Sequence, residues 1–173
     1  MDPFEIERWI ARLGDGAIGL AEVAELVEQY GRHIGAEGLA LDDDRTAWLK
    51  IDDTVELCLF HMDHFAGIAV GARLPPAARH SEQLLRRLLQ ANMSWQHTHG
   101  GSFAIPSWSD EPMLCRMIPL IGIDVDELDR QMAAFVATVQ SWHEQVLEIL
   151  ETGLQTSAEG EGVSLPPVTM IKV

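Results

Sequence analysis

The chain is short of positive charge. It carries 12 lysines and arginines against 27 aspartates and glutamates, a formal net charge of −15. A nucleic-acid binder needs a basic footprint to displace counterions from phosphate, so that class is excluded. An anionic membrane surface is disfavoured on the same ground. No apolar run approaches the roughly 18–20 residues that a membrane-spanning helix requires. The opening MDPFEIERW is acidic and polar, unlike the basic-then-apolar start of a secretory signal. Cysteine is also scarce. Cys58 and Cys115 are too few for a disulfide framework, and each lies in an apolar, strand-like run. They read as buried free thiols, which suits a reducing cytoplasm.

Motifs that carry chemistry are missing as well. There is no G-x-S-x-G for a nucleophile, and no GxxxxGK[ST] to cradle phosphate. The glycines of GDGAIG at 14–19 follow a helical pattern where a nucleotide fingerprint would follow a strand. Asp42-Asp43-Asp44 has neither the spacing nor the closing Glu of a calcium loop and reads as a solvated turn. His61-x-x-His64 and His97-x-His99 could each offer two metal ligands, which keeps a small metal-dependent enzyme or sensor as an alternative. No H-E-x-x-H occurs and the second pair lies in a loop, so solvated or capping histidines are the better reading and no cofactor is expected.

What is present is a regular alternation of periods. Asp2, Pro3 and Glu5 make a capping signal for a first helix over 2–13, with Ile6, Trp9, Ile10 and Leu13 on one face. A second helix is expected over 20–34, with Val23, Leu26, Val27, Tyr30 and Ile34 apolar and Gly35 as its stop. The period then becomes two. Ala47, Leu49 and Ile51 oppose Trp48 and Lys50, and Val55, Leu57 and Leu59 oppose Glu56, Cys58 and Phe60. A third strand over 65–74 has Gly67, Ala69 and Gly71 on one face, a row small enough for a helix to lie close. Turns at Asp52-Asp53 and Asp63-His64 join the three into an antiparallel meander.

Residues 81–105 then read as an amphipathic helix to Trp95, a Gly100-Gly101 exit and a strand over 102–108. Leu84, Leu85, Leu88, Leu89, Met93 and Trp95 share the apolar face. Asn92 sits among them and must find hydrogen-bond partners. A fifth strand over 113–120 follows. A long helix from Asp124 to about Glu151 comes next, bearing Leu128, Met132, Phe135, Val139, Trp142 and Val146. The order is α-α-β-β-β-α-β-β-α, an α+β protein with helices packed on an antiparallel sheet. One domain over 1–153 and a mobile Gly/Ser/Pro-rich tail over 154–173 are expected. Five tryptophans and mixed faces such as Trp48 with Lys50 leave apolar surface for a covering helix or a partner.

This layout resembles the class I type III secretion chaperones, the CesT/Tir-chaperone family. The resemblance rests on Leu84-Leu85, Leu88-Leu89, Asn92, Trp95, Gly100-Gly101-Ser102-Phe103, residues 114–120 and the acid-capped helix from Asp124. It implies a cytoplasmic bacterial homodimer without catalytic activity. Such a dimer binds the non-globular N-terminal segment of a secreted effector and presents it for export, with the secretion ATPase among its partners. The helix over 81–95 and the strand after it are expected to supply the dimer contact, through Leu85, Leu88, Leu89, Asn92, Trp95, Phe103 and Ile105. Effector grooves are expected at Val23, Leu26, Val27, Tyr30, Trp48, Leu49, Leu57 and Leu59. A regulatory interaction domain of the same fold is the remaining alternative.

Overall fold

The computed structural model describes residues 19–52, 54–62, 67–75, 81–120 and 122–156. The expected helix over 2–13, the Asp63-His64 turn and the tail beyond Thr156 lie outside them. Helix α1 (Leu20–His33) is followed by strands β1 (Thr46–Ile51), β2 (Val55–His61) and β3 (Gly67–Arg73). Helix α2 (Glu82–Met93), a single turn α3 (Trp95–Thr98), strands β4 (Ser102–Ala104) and β5 (Met113–Pro119), and helix α4 (Val125–Thr156) complete the order. The sheet is antiparallel throughout, in the order β1-β2-β3-β5-β4.

Helix starts follow local chemistry. Glu22 reaches back to accept from the Gly19 N–H at 2.9 Å. The Ser81 hydroxyl accepts from Leu84 N–H, and the Asp124 carboxylate from Glu127 N–H at 2.8 Å. Helix α1 stops at Gly35, whose φ of +75° is the left-handed value that glycine takes without strain. Gly31 serves a different purpose. A Cβ there would stand 2.7 Å from the Leu39 Cβ, so only glycine lets the returning loop pack on α1.

Alternation sorts each strand into two faces. Leu57, Leu59, Ile68, Val70, Ala72, Leu114 and Ile118 point to one side, where Val23 and Val27 of α1, Leu84 and Leu88 of α2, and Leu128, Met132, Phe135, Val139 and Val146 of α4 meet them in one core. Arg116 reaches this helix side and donates to Gln131 at 2.9 Å, whose amide donates on to Glu127. Register places Trp48, Cys58, Gly71, Cys115 and Ser102 in one row across the other side. Among the described residues no helix packs there.

Three boundaries differ from the sequence reading. The helix over 81–95 breaks at Ser94, so Trp95 begins a separate turn. The strand after the glycines ends at Ala104, because Pro106 cannot donate to a ladder and instead opens a turn closed by Ser109 N–H. Helix α4 continues past Glu151 to Thr156. The small-residue row of β3 also has another use. It lies on the helix-free face, where an added Cβ at Gly71 would stand 2.9 Å from the Met113 methyl and 3.7 Å from Cys115 Sγ. Neighbouring strands fill that row, and among the described residues no helix does.

Candidate functional site: an open sheet face, one free edge and an apolar helix stripe

Trp48, Cys58, Phe60, Met113 and Cys115 form the base of a trough on the helix-free face, walled by Pro106 and Trp108 and lipped by Asp42 and Asp44. Its volume is about 420 Å³. Trp48 and Trp108 remain 46% and 61% exposed, a large apolar surface to leave in water. The Arg73 guanidinium lies 4.9 Å from the Trp48 ring centre and pairs with Glu56 at 3.4 Å. Burial pushes the Cys58 thiol up to about 11, with neighbouring Cys115 adding to it, and burial also raises Cys115. Both thiols therefore favour the neutral form at neutral pH.

The two edges of the sheet are treated differently. At β4, Phe103 N–H donates to the Asn92 side-chain oxygen at 2.7 Å, and Asn92 Nδ2 donates to the Phe103 carbonyl at 3.1 Å. Asn92 thus occupies the outward-facing hydrogen-bonding pair at the centre of this three-residue strand. The Phe103 ring is held by Trp142 at 4.7 Å, edge to face, and Trp142 donates to the His97 carbonyl. At β1, Asp42 closes only the first outward pair, accepting from Thr46 N–H and donating its own N–H to the Thr46 carbonyl. Two residues on, the Trp48 main chain points to the same outer side, where no strand follows among the described residues.

Helix α2 has a wider apolar face than the core uses. Leu84, Leu88 and Ala91 are buried, whereas Leu89 and Met93 are 66% and 88% exposed. Leu85, Leu88, Leu89, Phe103, Ala104, Ile105 and Pro112 line a groove of about 160 Å³ between α2 and β4. Five of the seven residues expected at a dimer contact meet in this groove, and Asn92 buttresses it. Trp95 stands outside it and is exposed.

The expected effector residues do not gather in the same way. Val23, Val27, Tyr30, Leu57 and Leu59 are buried. The apolar face of α1 and the inward face of β2 are taken up by the protein's own core, so Val23, Val27, Leu57 and Leu59 present almost no surface in this fold. Leu26 and Leu49 are partly buried against that core, and Trp48 is on the opposite side of the sheet. Tyr30 and Leu49 do line a second hollow of about 400 Å³ with Ile34, Lys50 and Val136, on the helix side of β1. Sequence reasoning missed Phe60, Trp108 and Met113. The alternation of β2 places Phe60 beside Cys58, but the loop that brings Trp108 across carries no such signal.

Among the described residues no group of three or more His, Cys, Asp or Glu is arranged to hold a metal, and His64 lies outside them. His99 Nδ1 is engaged with the Thr138 hydroxyl at 2.9 Å. No described helix is long and apolar enough to cross a membrane.

Comparison with known proteins decides among these surfaces' possible contexts. The model of the Tir chaperone protein (CesT) family matches residues 25–143. The chain belongs to the CesT family. It is thus a type III secretion chaperone, a binder of effectors and not an enzyme. Among solved structures, the ExsC–ExsE complex superposes with a TM-score of 0.65 at 18% identity, covering 73% of this chain and 95% of that one. The HopA1–SchA chaperone–effector complex gives 0.59 at 22% identity, covering 69% and 91%. The Yersinia pestis chaperone SycH, solved with a fragment of YscM2, gives 0.50 at 12% identity, covering 68% and 97%. These likenesses establish the fold of this CesT-family chain. No curated protein matches it.

Proposed function

We propose that this chaperone acts as a homodimer in the bacterial cytoplasm, holding the non-globular N-terminal segment of a secreted effector in extended form for delivery to the secretion ATPase. The observation that carries this reading is the β1 edge. Its outward main chain at Trp48 runs between the aromatic trough on one side and the Leu49 hollow on the other. An extended segment pairing with β1 drops alternate side chains into the two hollows, the way strand addition couples main-chain affinity to side-chain specificity. HopA1–SchA is a chaperone–effector complex on a similar fold, which supports the same use here.

The dimer contact in this reading is the α2 stripe. Leu85, Leu88, Leu89, Phe103 and Ile105 make a groove into which the exposed Leu89 and Met93 of a second copy fit about a twofold axis. Contact is through side chains, since Asn92 fills the outward pair of β4. Co-expression with the N-terminal segment of an effector encoded nearby tests the first half. The segment should become soluble and co-purify, and its absence from the purified chaperone sinks the reading for that pair. Light scattering on the purified chaperone tests the second half: twice the 19.2 kDa chain mass is expected, and a monomer at micromolar concentration rejects the dimer.

A further inference from the structure

The lip of the trough is charged and rigid. Asp42 and Asp44 flank a turn in which Arg45 N–H donates to the Asp42 carbonyl, Asp42 N–H to the Thr46 carbonyl, Thr46 N–H to the Asp42 carboxylate at 2.8 Å, and the Thr46 hydroxyl to the Asp44 carbonyl at 3.3 Å. Arg45 takes a left-handed φ of 59° to close it. The Asp42 carboxylate and the Asp44 main chain are therefore held at the mouth of an apolar trough before any partner arrives. The Trp48 ring separates this trough from a neighbouring hollow that contains Arg73, Glu56 and Lys50. Arg73 already lies against that ring, so the indole holds a cation on the far side. His61 and Thr46 complete the polar lining of the trough. A whole-chain charge of −15 adds a long-range field of the same sign as the two carboxylates.

From this charge complementarity we infer that the trough selects an extended effector segment carrying a large apolar residue and, two positions from it, a lysine or arginine. The apolar side chain fills the space over Cys58, Phe60 and Cys115, and the cation meets Asp44 at the lip. Residues two apart in an extended chain share a side and lie about 7 Å apart, so an anchor and its flanking charge both face the trough side of β1. The inference rests on the effector-binding reading and adds the sequence preference of the client.

The test uses three short peptides on a Gly/Ser/Thr background, with Leu followed two positions later by Arg, Gln or Glu. They are titrated against the chaperone while its indole N–H resonances are followed by NMR, which detects weak binding. The Arg peptide should bind about fivefold tighter than the Gln peptide at low salt, the factor that about 1 kcal/mol supplies, and the Glu peptide should be weakest. Asp44→Asn should reduce the Arg peptide to the Gln level, and Trp48→Ala should weaken all three. Equal binding of the Arg and Gln peptides, or an Arg preference untouched by Asp44→Asn, overturns the inference. Absence of binding by any peptide while the effector segment still co-purifies overturns it too, and leaves the effector reading standing. An ordered response of the three peptides beside an effector segment that fails to co-purify upholds the trough's selectivity and removes the effector reading instead.

Discussion

Asn92 closes an edge of the sheet with a single amide group. Removing it leaves the Phe103 N–H and carbonyl unpaired in a half-buried place, which costs about 1–3 kcal/mol. Asn92→Ala should therefore lower the urea midpoint by that equivalent with the m-value unchanged. An asparagine on an apolar helix face is legible as an oddity that needs partners. Which partners could not be read, because the Phe103 main chain is brought there by the α3 turn and the left-handed His99-Gly100 pair. The two thiols behave as the apolar runs around them imply. In Cys58 the neutral form is favoured in the folded state, so its contribution to stability is complete below pH 9 and is lost as pH rises through about 11. Tyr30, pushed to about 12 by burial and then by Asp129, acts in the same direction. Thermal midpoints should fall on the alkaline side over that window. Iodoacetamide should label Cys58 at neutral pH far more slowly in the folded protein than in urea, as read by mass spectrometry.

At the scale of elements, α2 carries two kinds of leucine that its sequence does not distinguish. Leu88 is buried in the core and Leu89, its neighbour, is exposed. Leu88→Ala should destabilise the fold by about 2–5 kcal/mol through the cavity it leaves. Leu89→Glu should leave the monomer's circular dichroism intact and shift the light-scattering mass from dimer to monomer. A variant in which Leu89→Glu unfolds the chain, or remains fully dimeric, removes the stripe from the contact. Periodicity revealed that α2 is apolar on one side, and likewise α1. It could not show how much of each side the chain covers for itself, which depends on where α4 lies. That is why Val23 and Val27 read as groove residues and are core. The strands were legible where alternation runs unbroken, as in β1 and β2. They were not where a single proline ends the ladder, as at Pro106.

At the scale of the molecule, the long helices among the described residues all lie on one side of a five-stranded sheet. Helix α4 extends about 48 Å at the usual rise per residue, long enough to back the whole sheet alone. One edge is filled by Asn92, and among the described residues the other is open at Trp48. In hydrogen exchange the Trp48 amide should be rapid in the free chaperone and slowed when an effector segment is bound, whereas the Phe103 amide should be slow in both. Equal exchange at Trp48 with and without a co-purifying segment moves main-chain pairing away from β1. The alternation within β1 and β2 also has an evolutionary consequence. Leu57 and Leu59 answer to the core, while Cys58 and Phe60 beside them answer to the trough. Neighbouring positions therefore meet separate physical demands. In the effector-binding reading proposed above, a lineage can change its client by drifting at every second position, and the interior that keeps the protein folded is left untouched.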